Sequence, residues 1–214
     1  MQHHIDLLIE RYPALKVCEE SIIKSFDILK ECFSSGHKLL IAGNGGSNSD
    51  AEHIAGELMK GFKLTRKCPK KFAYKLQAID PIRGKELANK LQGGLPVIAL
   101  GGHQSLNTAF INDVSEGGLF TFAQQVYGYG KEKDVFLGIS TSGNSKSIMN
   151  AAITAKALGL KVIALTGQTG GELVTVSDFA IKAPSNETYI VQELHLPIYH
   201  CLCLMLEDYF YNNN

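Results

Sequence analysis

The sequence predicts an α/β fold in three layers, with a parallel five-stranded sheet covered by helices on both faces. Three observations carry this. Apolar runs of strand length lie near residues 38, 96, 135, 162 and 179. Stretches whose apolar residues recur at three- and four-residue steps separate them, and that spacing predicts helices. Each run is apolar throughout rather than alternating, as expected of strands buried on both sides.

The elements follow in order. Residues 5 to 35 read as a long N-terminal helical region, with Leu7, Leu8, Leu15, Ile22, Ile23, Phe26, Leu29 and Phe33 at helical steps and a break at Pro13. Ser34, Ser35 and Gly36 end it. The first strand runs from Lys38 to Gly43 and leads into Asn44-Gly45-Gly46-Ser47-Asn48-Ser49-Asp50, then a helix carrying Ile54, Leu58 and Met59. Residues 63 to 94 break the rhythm. They hold a basic run of Lys63, Arg66, Lys67, Lys70, Lys71 and Lys75, then Pro81 and Gly93-Gly94. This segment reads as an insertion in a single domain spanning residues 1–214, with its charges on a solvated face. The second strand is Pro96 to Gly101, followed by helices over 105–111 and 118–129. The third, from Val135 to Ile139, passes through a loop of small hydroxylated residues into a helix with Ile148, Ala151, Ala152, Ala155 and Leu158. Lys161 to Gly167 and Phe179 to Pro184 are the last strands, and 193–211 is an apolar terminal helix.

Composition excludes several function classes. Lys+Arg and Asp+Glu are both 21, so no basic excess exists to grip nucleic acid. No apolar run is long enough to span a membrane, and the opening residues lack a basic segment followed by an apolar one. The five cysteines form no Cys-x-x-Cys pair, which points to reduced thiols and a cytoplasmic protein. His3-His4 reads as a surface pair.

Two loops between a strand and a helix attract the functional reading. Ser140-Thr141-Ser142-Gly143-Asn144-Ser145 precedes a helix start, where unpaired N–H groups and the helix dipole favour an anion. Its hydroxyls add donors for a phosphate ester. Neither this loop nor Asn44–Asp50 has the Gly-Lys-Ser/Thr ending of a triphosphate-binding loop. A single phosphate monoester suits them better. In a parallel sheet both loops sit at carboxyl ends of strands and can face one pocket. His53 and Glu57 are four apart on the helix that leaves the first loop, hence on one face. Gln192, Glu193, His195 and His200 lie near the C-terminus. Cys201 and Cys203, beside His200, read as buried apolar residues.

Taken together, Asn44-Gly-Gly-Ser47 with Asp50, His53 and Glu57, then Asn112-Asp113, then Ser140-Thr-Ser-Gly-Asn-Ser145, then Gln192-Glu-x-His195 with His200, the sequence resembles the sugar isomerase (SIS) domain. Within it, the pattern is similar to the sedoheptulose 7-phosphate isomerases, or phosphoheptose isomerases. The resemblance spans nearly the whole chain outside 63–94. It implies a flavodoxin-like sheet, a homotetramer with sites at subunit interfaces, and a divalent metal, zinc, at the site. It places a phosphate on Ser140, Thr141, Ser142 and Ser145, and a sugar against Asn44, Gly45, Gly46, Ser47, Asn112 and Asp113, with Glu57 and Gln192 also touching substrate. It makes His53, Glu57, Gln192 and His200 the metal ligands, with Glu57 and His200 as acid–base residues. The implied reaction converts a ketose phosphate to an aldose phosphate through an enediol. The alternative is a non-catalytic module of the same domain that binds a sugar phosphate or a protein such as a replication initiator. The sequence departs from the family where an Asp-Arg pair often precedes Ile-Gln-Glu: here Tyr189-Ile190 precede Val191-Gln192. The 63–94 segment is also longer than expected.

Gln192 and His200 pose a geometric problem. Eight residues of straight helix separate them by roughly 12 Å along the axis. Either Pro197 starts the helix late and leaves Gln192 on a loop, or His200 meets His53 and Glu57 of a neighbouring chain. The apolar surface of the terminal helix favours the second.

Overall fold

Alternate residues of each strand enter two separate cores. In β1 (Leu39–Ala42), Leu39 and Ile41 join one core, Leu40 and Ala42 the other. The same alternation runs through β2 (Val97–Ala99), β3 (Val135–Ser140), β4 (Lys161–Thr166) and β5 (Phe179–Lys182), each pairing parallel to its neighbours. The strand order is β2-β1-β3-β4-β5. This computed structural model describes residues 2–212. Its helices are α1 (Gln2–Arg11), α2 (Glu19–Ser34), α3 (Gly46–Met59), α4 (Lys70–Ile79), α5 (Pro81–Lys90), α6 (Gln104–Asp113), α7 (Thr121–Tyr129), α8 (Lys146–Ala157) and α9 (Thr188–Tyr211). Helices α1, α2, α3 and α9 contribute to the first core, α7 and α8 to the second. The three-layer α/β architecture is therefore as the apolar runs predict.

The strand order positions the site. After β1 the chain adds β2 on one side, then crosses back to place β3 on the other. The carboxyl ends of β1 and β3 are neighbours at this reversal, with Ala42 in register with Gly138. Loops 43–47 and 140–145 leave the sheet there, at the crevice where open parallel sheets bind ligands.

Three boundaries differ from the sequence reading. The N-terminal region is α1 and α2 joined by a 3-10 turn, Pro13–Cys18, rather than one broken helix. Segment 63–94 folds into α4 and α5, which pack on each other. Asp80 caps α5, accepting from the Ile82 and Arg83 N–H groups at 3.0 and 2.8 Å, with Pro81 at the first helical position. Lys63, Lys67, Lys70, Lys71 and Lys75 are exposed, as a solvated face requires, but Arg66 is not. Its side chain is buried and its Nε donates to Glu207 Oε1 at 2.8 Å. Finally, α9 begins at Thr188 and continues through Pro197. The proline removes one backbone donor without ending the helix, because the surrounding core packs both halves.

Among the described residues no helix is long and apolar enough to cross a membrane. Cys18, Cys32, Cys201 and Cys203 are buried and free, and burial pushes Cys18 up to about 11 and Cys32 and Cys201 up to about 12. These thiols stay protonated and act as small apolar groups.

Candidate active site

Gly43 is where β1 must become α3. A Cβ there would lie 2.3 Å from the Ser47 carbonyl oxygen, so only glycine allows α3 to start so close to the strand end. Gly45 follows with φ of +55°. Asn44 is thrown out between them, and its amide donates to Ser145 Oγ at 2.9 Å and Ser147 Oγ at 3.0 Å. That contact ties the first loop to the second.

The second loop is held by its neighbours. Gly143 has φ of +69°, and a Cβ on it would sit 2.0 Å from the Gly170 carbonyl oxygen. The Thr141 carbonyl accepts from Gly167 N–H at 2.9 Å, and the Gly143 carbonyl from Leu173 N–H at 2.9 Å. Asn144 Oδ1 accepts from Glu172 N–H at 2.9 Å. The loop after β4 thus fixes the loop after β3. Ser145 is the N-cap of α8 but makes no side-chain cap bond to it, which leaves the first-turn N–H groups without a side-chain acceptor.

Between the loops lies a cleft of about 360 Å³. Asn44, Gly45, Gly46, Ser47, Ser140, Thr141, Ser142, Ser145 and Gln192 line it, as does Thr188, which the sequence reading did not single out. Ser147, bonded to Asn44 behind the loop, was also missed. A hydroxyl on the first turn of each flanking helix was the available signal. Asn112 and Asp113 are placed differently. They are exposed at the end of α6, bonded to each other at 2.9 Å, and are not among the cleft-lining residues.

A second group of polar residues lies farther along α3 and α9. His53 Nε2 is 3.2 Å from Glu57 Oε1, and His200 Nε2 is 3.5 Å from His53 Nε2. The expectation was that His200 meets His53 and Glu57 of a neighbouring chain; within one chain the packing of α3 on α9 already brings His200 to His53. The escape that puts Gln192 on a loop fails, since Gln192 is helical. It stays with the cleft, where a Cβ on Gly46 would meet its amide nitrogen at 2.7 Å. From there His200 is two turns away along α9, roughly 12 Å of rise. The structure strings three of the four expected ligands together through His53 and leaves the fourth, Gln192, at the neighbouring cleft.

Buried partners set the orientation of His53. Tyr199 OH donates to Asp50 Oδ1 at 3.2 Å, and His53 Nδ1 is 3.0 Å from the same hydroxyl. With the hydroxyl proton committed to Asp50, His53 Nδ1 carries the donated hydrogen. Its Nε2 is then a lone pair facing the Glu57 carboxylate and the His200 ring. Glu57 and His200 each approach this nitrogen, at 3.2 and 3.5 Å, while the three ligand atoms do not all lie within 4.8 Å of one another. Burial, and then the neighbouring His53, hold the His200 imidazole below its ordinary value, which favours the neutral, ligand-competent ring. An imidazole oriented through its other nitrogen is the arrangement found around bound zinc. His53 with Glu57 or with His200 presents a pair of donors to such an ion, and a side-chain shift of the remaining residue would complete a three-ligand site with an open position.

His195 sits apart from this group. It is fully buried, its Nε2 is 3.2 Å from the Thr166 carbonyl oxygen, and burial lowers its pKa to about 4. It is a neutral core residue holding α9 against β4.

Comparison with known proteins agrees with this geometry. The SIS domain family matches residues 94–167. A phosphoheptose isomerase of Helicobacter pylori (strain P12) is 37% identical over 201 residues, covering 94% of this chain and 90% of the relative. One from Aneurinibacillus thermoaerophilus is 36% identical over 93% of this chain and 84% of its own. The solved phosphoheptose isomerase of Francisella tularensis superposes with a TM-score of 0.75 at 30% identity, covering 97% of this chain and 96% of that one.

Proposed function

The chain belongs to the phosphoheptose isomerase family of SIS domain proteins, and from that premise we propose that it interconverts sedoheptulose 7-phosphate and a glycero-manno-heptose 7-phosphate through an enediol. The observation that carries the reading is the string Glu57–His53–His200 standing along α3 and α9 beyond a hydroxyl-lined cleft. The cleft takes the phosphate. The groups along the helices act on the carbonyl end of the sugar.

The residues divide the work as follows. Ser140, Thr141, Ser142 and Ser145, with the first turn of α8, bind the phosphate oxygens. Asn44, Ser47, Thr188 and Gln192 orient the sugar next to it. Glu57 removes the proton from one carbon and returns it to the other, which requires a carboxylate within reach of both C1 and C2. Its Oε1 lies 3.2 Å from His53 Nε2, and its Oε2 lies 3.5 Å from Lys60 Nζ, the longer contact and the one at the solvent side. His53, Glu57 and His200 would hold zinc. When bound, the ion supplies Lewis-acid stabilisation of the developing oxyanion. The hydroxyl proton that must pass between O1 and O2 falls to His200, the second acid–base residue.

Incubation with sedoheptulose 7-phosphate, with detection of the aldose, tests the reading directly. No aldose from metal-replete, folded protein would leave the non-catalytic alternative. Chelator-treated protein should lose turnover and regain it with zinc. Full turnover by metal-free protein would remove the metal from the scheme. The Ser142→Ala/Ser145→Ala variant should bind the phosphorylated sugar less tightly by about 1.5–3 kcal/mol per lost bond to the charged group. Titration with the unphosphorylated sugar should show no matching loss. Equal losses for both ligands would place the phosphate elsewhere.

A further inference from the structure

The N-terminal end of α1 meets the C-terminal end of α9 through three side chains. His4 Nε2 lies 2.8 Å from Asp208 Oδ2, and His3 Nε2 lies 3.5 Å from the same oxygen. The two imidazole rings are 3.8 Å apart and tilted by 42°. Among the described residues these form the one group of three His, Cys, Asp or Glu whose ligand atoms all lie within 4.8 Å of one another. The sequence reading of His3-His4 as a surface pair holds only for His3, whose side chain is 64% exposed, whereas that of His4 is 5% exposed. Successive helix residues ordinarily diverge by about 100°. Here both rings turn to a single carboxylate oxygen, and one does so from inside the protein.

We propose that His3, His4 and Asp208 form a second divalent-metal site, separate from the candidate active site, which takes zinc or a similar borderline ion. Two imidazole nitrogens and a carboxylate oxygen are a donor set suited to such an ion, and less to magnesium or calcium, which prefer oxygen alone. Tetrahedral bonds of about 2.0–2.2 Å put ligand atoms roughly 3.3 Å apart. The His3–Asp208 separation of 3.5 Å already matches, and the His4–Asp208 pair at 2.8 Å opens by a fraction of an ångström. Binding releases the proton that His4 and Asp208 hold between them. The fourth position is open on the exposed side of His3 and takes water. The site's effect is mechanical. It pins α1 to the helix that also carries Gln192 and His200.

The test uses the full chain. Zinc is titrated into protein bearing His200→Asn, which weakens the candidate active site, and into the same protein with His3→Gln or Asp208→Asn added. Cobalt in place of zinc gives a visible ligand-field spectrum for the same comparison. The His200→Asn protein should bind an ion that His3→Gln and Asp208→Asn each weaken at least tenfold, since loss of even an outer-shell partner costs 10–100-fold. Zinc should also raise the melting temperature of the unaltered chain by more than that of the His3→Gln chain. His3 is exposed and Asp208→Asn keeps shape, so circular dichroism should report an unchanged fold for both. Identical zinc affinity and identical thermal shifts with and without His3 and Asp208 would overturn the site.

Discussion

Glu57→Gln should lower kcat by about 10²–10⁴-fold, the usual contribution of a positioned acid–base group. The amide keeps the size of the side chain but cannot take a proton from carbon. The helix around it is not at risk, because Glu57 lies on the last turns of α3 and its side chain bonds only to His53 and Lys60. Zinc-saturated variant and unaltered protein should be compared, since the substitution also alters a proposed ligand. Binding of the phosphorylated sugar should change little, because the phosphate loop lies at the other end of the site. A KM unchanged with kcat collapsed is therefore the expected pattern. Turnover within a factor of ten of the unaltered protein would remove Glu57 from the chemistry.

The largest expected effect on stability belongs to Glu207. Its carboxylate accepts from the backbone N–H groups of Phe62, Lys63 and Leu64 at 2.8, 2.8 and 3.1 Å, and from Arg66 Nε at 2.8 Å. Both side chains are essentially sealed from water, at 0% and 1% exposure for Arg66 and Glu207. Arg66 then donates to the Leu58 and Glu57 carbonyls at 2.6 and 3.0 Å and lies 4.6 Å from the Tyr211 ring centre. It thus satisfies two carbonyls at the end of α3, the turn that carries Glu57. Glu207→Gln should destabilise the fold by about 3–5 kcal/mol, because a buried guanidinium is left without its counter-charge. Arg66→Met should cost less, since Glu207 keeps three backbone donors. Urea denaturation of the two variants checks both size and order. A loss under 1 kcal/mol for Glu207→Gln would mean that water reaches the pair.

The same carboxylate ties stability to pH. Burial alone would raise its pKa, but the N–H groups of Phe62 and Lys63, then Arg66 and the Leu64 N–H, outweigh it and hold Glu207 below its ordinary value. A depressed carboxylate stabilises the fold at pH above its unfolded value of about 4.3 and loses that contribution as pH falls through the folded value.

The sequence by itself determined the five strands, because strands buried on both faces read as near-continuous apolar runs, and that needs no knowledge of partners. It determined the two loops for a related reason. Gly43, Gly45 and Gly143 are demanded by local backbone geometry and close approach, and hydroxyls beside a helix start are a local signal too. His53 with Glu57 was legible because four residues is one helical turn.

What the tertiary structure decided were the meetings of residues far apart in the chain. The basic run 63–75 has the composition of a solvated face, and only Glu207, more than a hundred residues away, draws Arg66 out of it. Asp50 and Tyr199 orient His53 through a packing of α3 on α9 that no spacing encodes. The rise between Gln192 and His200 follows from helix geometry and the sequence alone. The loop that would have freed Gln192 is absent, because α9 runs unbroken past Pro197, and α3 passes alongside it. Gln192 meets Gly46 at the start of α3, and His200 meets His53 two turns on. Periodicity fixes which face of a helix a residue occupies; only the packed neighbour decides what that face touches.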